Sequence, residues 1–166
     1  VPYAFPFSSL DGSSNFTLIS AHLRPGDRSE DFLKRSQEIN GVFDWIQKQT
    51  ETNKDFYLLG DCNIYGEKEL KPFHEKGFSS LNNQCLSTNT KMYEDESKGK
   101  PYDHVFYAEH STEDIIPSSF TVVNLFGLVK KAGMTFTPYD HDQFRTTFSD
   151  HVPISYQIVT GKDSDL

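Results

Sequence analysis

Cysteine is nearly missing. Cys62 and Cys85 are the only two, so the chain has at most one disulfide, cannot form a zinc site from thiolates alone, and matches no redox or metal spacing. Long apolar runs are missing too. The longest, such as Phe120 to Leu125, fall far short of the ~18 residues a membrane-spanning helix needs, so no span is expected. Positive charge is scarce: 16 Lys and Arg against 24 Asp and Glu leave a net charge of −8. That balance argues against a protein that coats nucleic acid by bulk electrostatics, while leaving room for a local positive patch or a metal-assisted phosphate site. No internal repeat, Gly/Ser linker or heptad divides the chain. It opens Val1-Pro2-Tyr3 without an initiator Met or a charged-then-apolar leader, and so reads as a processed product, an excised piece or part of a longer gene. Nothing in the sequence indicates a compartment.

What is present is core material. The 166 residues are 36% hydrophobic and include 14 Phe and 8 Tyr, enough for one domain, expected over 1–160 with a frayed tail at 161–166. FTLISAHL, residues 16–23, is apolar at both parities and reads as a strand buried on both faces, ended by Pro25-Gly26. Phe32, Ile39, Phe43 and Ile46 recur at helical spacing, which predicts one long helix from Asp27 to about Thr50 with Asp27 and Glu30 as a capping box. After the polar turn Glu51–Lys54, FYLLGDCN (56–63) reads as a core strand with a polar end. A short helix interrupted by Pro72 is expected over 67–76, and a polar loop over 82–101 that includes the solvated run YEDESKGK. Tyr102–Ala108, Phe120–Leu125 and Val152–Ile158 complete the predicted strands, and the aromatics are assigned to core positions.

Four of the apolar strands end in polar segments: His22 in SAHLRP, Asp61 and Asn63 in GDCN, Asp103 in PYDHVFY, and Asp150-His151 in FSDHVP. Singly, each has an ordinary structural explanation: a hydrogen-bonded core histidine, a turn, a strand terminator, a cap. Together they form an inventory suited to a hard metal ion and a phosphate. Hydrolysing a phosphodiester requires a water to be oriented or deprotonated, charge on the non-bridging oxygens to be neutralised, and the leaving oxygen to be assisted. Carboxylates serve the first task and hold a divalent ion for the second. An Asp that fixes a His tautomer, as Asp103 could for His151, supplies a defined base or donor, and an Asn adds a neutral donor.

These four motifs, in this order, resemble the later motifs of the endonuclease/exonuclease/phosphatase superfamily, most closely its deoxyribonuclease I type. The resemblance runs from the opening VPYAFPFSS through CLSTNT to SDHVP, with the SDH-x-P and GD-x-N pair its most specific part. It implies an α+β fold, the C-terminal half of a four-layer α/β/β/α sandwich. It also implies roles. His22 and His151 would flank the scissile phosphate, Asp103 would pair with His151, and Asp61 would orient the attacking water or bind metal. Asn63 would bond a phosphate oxygen, Asp150 would be a metal ligand, and Mg²⁺, with Mn²⁺ or Ca²⁺ as alternatives, would be the cofactor. Arg24, with Arg28 and Arg145, lies near the motifs and is a candidate phosphate contact or an ordinary solvated charge.

The superfamily's early motifs, an Asn and two Glu, have no counterpart here, and one sheet of a sandwich without the other would expose apolar surface and strand edges. The expected partner is therefore the N-terminal half of the same domain, and the expected substrate is DNA. The alternatives are a phosphoesterase acting on lipid or small-molecule phosphates, and a non-catalytic half-domain. The sequence Pro101-Tyr102-Asp103-His104 departs from the inositol-phosphatase branch. The two cysteines fall away from the positions found in deoxyribonuclease I, and the loop before PYDHVFY is longer. The Asn15 sequon begins a predicted buried strand and carries no assignment; His74, His110 and His141 read as surface residues, and Asp140-His141-Asp142 as a solvated loop.

Overall fold

The computed structural model describes residues 2–49, 55–108, 114–136 and 138–159. The turn expected at Glu51–Lys54, His110 and the tail 161–166 lie outside the described residues. The fold is α+β. Five strands form one sheet: β1 (Tyr3–Ser8), β2 (Asn15–Ser20), β3 (Phe56–Asp61), β4 (Phe78–Ser80) and β5 (Asp103–Ala108), in the order β1-β2-β3-β5-β4. The β2–β3 pair is parallel and the others antiparallel. A parallel pair needs a long crossover, and helix α1 (Ser29–Gln49) supplies it.

Helix α1 buries Asp31, Arg35, Ile39, Val42, Phe43 and Ile46, a stripe at three- and four-residue spacing. Its apolar part packs on one face of the sheet against Ile19, Phe56, Leu58, Phe78 and Phe106, with the Phe43 and Phe78 rings stacked. The helix starts at Ser29 rather than at the expected capping box: the Arg28 carbonyl accepts from the N–H groups of Asp31 and Phe32. Pro72 does not interrupt a helix. It sits in the first turn of the short α2 (Lys71–His74), where its missing N–H costs nothing, after a one-turn 3₁₀ helix at Glu67–Glu69.

The opposite face of the sheet carries a second core of Tyr57, Leu81, Val105, Tyr107 and Ile115. Phe16, Leu18, Leu59, Phe120, Ile154, Tyr156 and Ile158 are only partly buried there. Among the described residues a two-stranded ribbon, β6 (Thr121–Val122) with β7 (Ile154–Ser155), forms the second sheet. The expected strand Phe120–Leu125 is thus split: Leu125 begins helix α3 (Leu125–Lys131), capped by Asn124, whose Oδ1 accepts the Gly127 N–H at 2.8 Å. Val152–Ile158 likewise contains two strand residues and an isolated bridge from Ile158 to Ile115. Asp140 is not part of a loose loop but the N-cap of helix α4 (His141–Thr147), its Oδ1 accepting the Gln143 N–H at 2.9 Å.

Not every aromatic is in a core. β1 is an edge strand, which accommodates Pro6, and Tyr3, Phe5 and Phe7 are 66%, 50% and 46% exposed. In the segment 82–101, Glu94–Lys98 of YEDESKGK is solvated as expected, with Tyr93, Gly99 and Lys100 half-buried, but Asn82, Thr88, Asn89 and Thr90 are buried and hold the site together.

Candidate active site

Strand geometry explains why distant motifs converge. Side chains alternate between faces, and the parallel register that pairs Ser20 with Leu59 places His22 opposite Asp61 two residues later. The Leu23 N–H to the Asp61 carbonyl, at 2.9 Å, shows the pairing continuing past the end of β2. Asp61 in turn is opposite Asp103. His22, Asp61 and Asp103 therefore extend the parity of Leu18, Leu59 and Val105, the second face, just beyond its apolar part.

The fourth motif is brought in by residues 88–90. Asn89 and His151 form an antiparallel bridge, the Thr90 N–H donates to the Asp150 carbonyl and the Val152 N–H to the Thr88 carbonyl, each at 2.8 Å. The Thr88 hydroxyl oxygen accepts the Asp103 N–H at 2.9 Å, which couples this segment to β5. Behind it, Tyr139 donates to the Thr90 carbonyl and belongs to an aromatic cluster with Tyr93, Phe126 and Phe144. None of these residues is a site residue expected from the sequence, although Thr88–Thr90 lie in CLSTNT, part of the resemblance to the superfamily.

The outcome is an open cleft of about 570 Å³ lined by His22, Asp61, Asn63, Asp103, Asp150 and His151, with Pro25, Tyr65, Tyr102 and Ser149. His151 donates from Nδ1 to Asp103 Oδ2 at 2.7 Å, which fixes its tautomer and turns Nε2 toward Asp61 Oδ2, 3.6 Å away. His22 Nε2 lies 3.3 Å from the same Asp61 oxygen. One carboxylate is thus placed between two imidazoles. The hydrogen bond to Asp103 raises the His151 pKa against the opposing effect of burial. Burial raises that of Asp61, opposed by His151 and by the Asn63 N–H, which donates to Oδ1 at 3.0 Å. Asn63 is buried with φ +49° and its Nδ2 donates to the Leu23 carbonyl, so GD-x-N ties β3 to the segment carrying His22. Gly60 is required there: at φ +132° a Cβ would lie 2.1 Å from the Ala21 carbonyl oxygen.

Arg24 is not brought to the cleft. Beyond the end of β2 the backbone turns, and Arg24 Nε donates to Asp31 of α1 at 3.0 Å. Arg28 pairs with Glu30 in the first turn of α1, and Arg145 with Asp142 on α4. His104, next to Asp103 in sequence, also points away. It is buried beneath the site, accepting at Nδ1 from Ser80 Oγ and donating from Nε2 to the Pro101 carbonyl, both at 2.7 Å, and burial lowers its pKa to about 4.

Among the described residues no group of three or more His, Cys, Asp or Glu side chains gathers to hold an ion. A Mg²⁺ ion keeps several waters and needs only one or two carboxylates beside a substrate phosphate, so the donor set here, Asp61 and Asp150, fits an incomplete site of that kind. No helix among the described residues is long and apolar enough to cross a membrane.

No protein-family model matches the chain, and no curated protein matches it in sequence. Solved structures do. A protein described as an endonuclease/exonuclease/phosphatase from Beutenbergia cavernae superposes with a TM-score of 0.62 at 15% identity, over 96% of this chain and 39% of that one. A mannosyl-6-phosphatase from Bacteroides thetaiotaomicron gives 0.59 at 15%, over 95% and 56%. A 3′ phosphatase from Neisseria, bound to a product DNA hairpin, gives 0.57 at 12%, over 87% and 61%. The chain spans 39–61% of the length of these three proteins, and by its architecture it has the endonuclease/exonuclease/phosphatase fold.

Proposed function

We propose that the chain supplies the later half of the active site of a divalent-metal-dependent phosphodiester hydrolase that cuts DNA. The observation that carries this reading is the continuous contact Asp103–His151–Asp61–His22 in one open cleft. Asp103 holds His151 in the tautomer that presents Nε2, so His151 can take or give a proton at the reacting phosphate. Asp61, disfavoured as an anion by burial, is a base for the attacking water. His22, exposed at the other side of Asp61, donates to a phosphate oxygen, and the backbone-tethered Asn63 amide fixes the spacing between them. When bound, a divalent cation on Asp61 and Asp150 would neutralise phosphate charge. Its remaining protein ligands would come from the N-terminal half of the domain, which is the proposed covering of the second sheet face.

One observation favours a second reading, hydrolysis of a small or lipid phosphate ester: the residues lining the cleft include no Lys or Arg to track a polyanion. Plasmid nicking with Mg²⁺ or EDTA, by this chain and by a version extended with the upstream sequence of its gene, tests the first. EDTA-sensitive nicking by the extended version supports a nuclease. Release of phosphate or phosphocholine from small esters without nicking supports the second reading, and activity in neither assay leaves a non-catalytic half-domain.

A further inference from the structure

The buried stripe of α1 begins with charged residues, Asp31 and Arg35, where helix packing alone calls for apolar ones. Arg35 is 1% exposed and every nitrogen of its guanidinium is engaged. Nε and Nη2 donate to Glu69 Oε2 at 3.1 and 2.7 Å, and Nη1 donates to the carbonyls of Arg24 and Gly26, both at 2.9 Å. Its Cζ lies 5.0 Å from the Phe32 ring centre and 5.3 Å from that of Tyr65. The two carbonyls belong to the turn that follows His22. The second oxygen of Glu69, Oε1, accepts the Tyr65 N–H at 2.8 Å, two residues after Asn63.

We propose that Arg35, which does not itself line the cleft, is a positioning residue that sets His22 and Tyr65 at their places in the cleft wall; this rests on the catalytic reading of His22 above. The guanidinium is a rigid fork, so one planar group fixes the distance between the 24–26 turn and the 65–69 turn. Three further contacts show how closely the first turn is specified. Asp31 accepts from Arg24 Nε, Glu38 accepts the Arg24 N–H at 2.9 Å, and Gly26, at φ +122°, passes where a Cβ would meet the Asp31 carboxylate. Among the described residues His22 itself is held by its backbone and by Asp61, with 73% of its side chain exposed, so its position depends on this turn. A lysine in place of Arg35 keeps the charge opposite Glu69 but has no planar fork to reach both carbonyls.

Arg35→Lys and Glu69→Gln in this chain, followed by NMR of the histidine and tyrosine ring signals, test the positioning directly. The His22 and Tyr65 signals are expected to move while those of His104, held by Ser80 and Pro101, stay in place. In the extended version, kcat for the phosphoester substrate is expected to fall by about 10²-fold with KM within a factor of about two, the size of loss that small misplacements of reacting groups produce. Unmoved His22 and Tyr65 signals in a folded Arg35→Lys, or a kcat loss that merely follows the lowered urea midpoint, would overturn the proposal. If Arg35→Lys does not fold, Glu69→Gln decides by the same signals. Displaced signals with no hydrolysis by the parent would sustain the positioning role and reject the catalytic reading instead.

Discussion

Replacing His104 by Gln should change how stability depends on pH. In the native state the imidazole is enclosed, and its pKa falls from the ordinary 6.5 to about 4 because burial penalises the cation. Its neutral form is required by the partners: the Pro101 carbonyl needs the Nε2 proton, and Ser80 Oγ donates to a bare Nδ1. The unfolded chain therefore binds a proton that the folded chain does not between about pH 6.5 and 4. The stability held by neutral His104 is complete above 6.5 and is lost as the pH falls to about 4, up to roughly 3 kcal/mol at about 1.4 kcal/mol per pKa unit. Near pH 5 the loss should be about 2 kcal/mol. Two groups act in the opposite sense. His151, with its raised pKa, is stabilising below its unfolded value, and acid relieves the cost of burying the Asp61 carboxylate. The parent curve alone mixes the three, so the informative quantity is the difference from His104→Gln, which keeps a donor toward Pro101 but cannot be protonated. At about pH 7.5 the variant should be less stable by about 1–3 kcal/mol, because Ser80 loses its acceptor. By about pH 5 that gap should narrow by about 2 kcal/mol. Urea unfolding followed by the single tryptophan, Trp45, which packs on the Phe56 ring, reports it. A gap that stays constant across this range would refute the assignment of a buried, neutral His104.

Three other outcomes follow from the site. Gly60→Ala forces a Cβ to 2.1 Å from the Ala21 carbonyl oxygen and should lower stability by at least about 2 kcal/mol, read as a urea midpoint; an unchanged midpoint would show that this close approach is not real. Asp103→Asn removes the carboxylate that selects the His151 tautomer, and phosphodiester cleavage by the extended version should fall by about two to four decades with the fold retained; undiminished turnover would take the pair out of the mechanism. Asp150→Asn should shift the Mg²⁺ activation curve to higher concentration, and a titration superimposable on the parent would refute the ligand assignment.

Much of the candidate site was legible because it obeys local rules. The spacing of Ile39, Phe43 and Ile46 marks α1, the apolar run 56–59 marks β3, and polar residues closing apolar strands mark His22, Asp61, Asp103 and His151. Arg24 stays outside the cleft for an equally local reason. Neighbours in a strand face opposite sides, so lying two residues from His22 in the chain could have put it on the same face only if the strand had continued, and at Arg24 the backbone is already turning toward Asp31. His104, adjacent to Asp103, is separated from the cleft by that same alternation.

Periodicity and residue type, which depend on few neighbours, were enough for the long helix, the core strands and the chemical inventory of the cleft, while the α+β class was what the resemblance of the four motifs implied. Only the folded structure decided that Phe120–Leu125 divides between β6 and α3, because Thr121 and Val122 find their pairing partners in the distant β7 while Asn124 caps the helix that Leu125 begins. It alone showed that Thr88–Thr90 stitch β5 to the Asp150–His151 segment, and that Arg35 is buried for the sake of two turns far apart in sequence. Those contacts join residues 9 to 64 positions apart, and a buried hydroxyl or guanidinium takes its role from whichever backbone group reaches it, which no local pattern records.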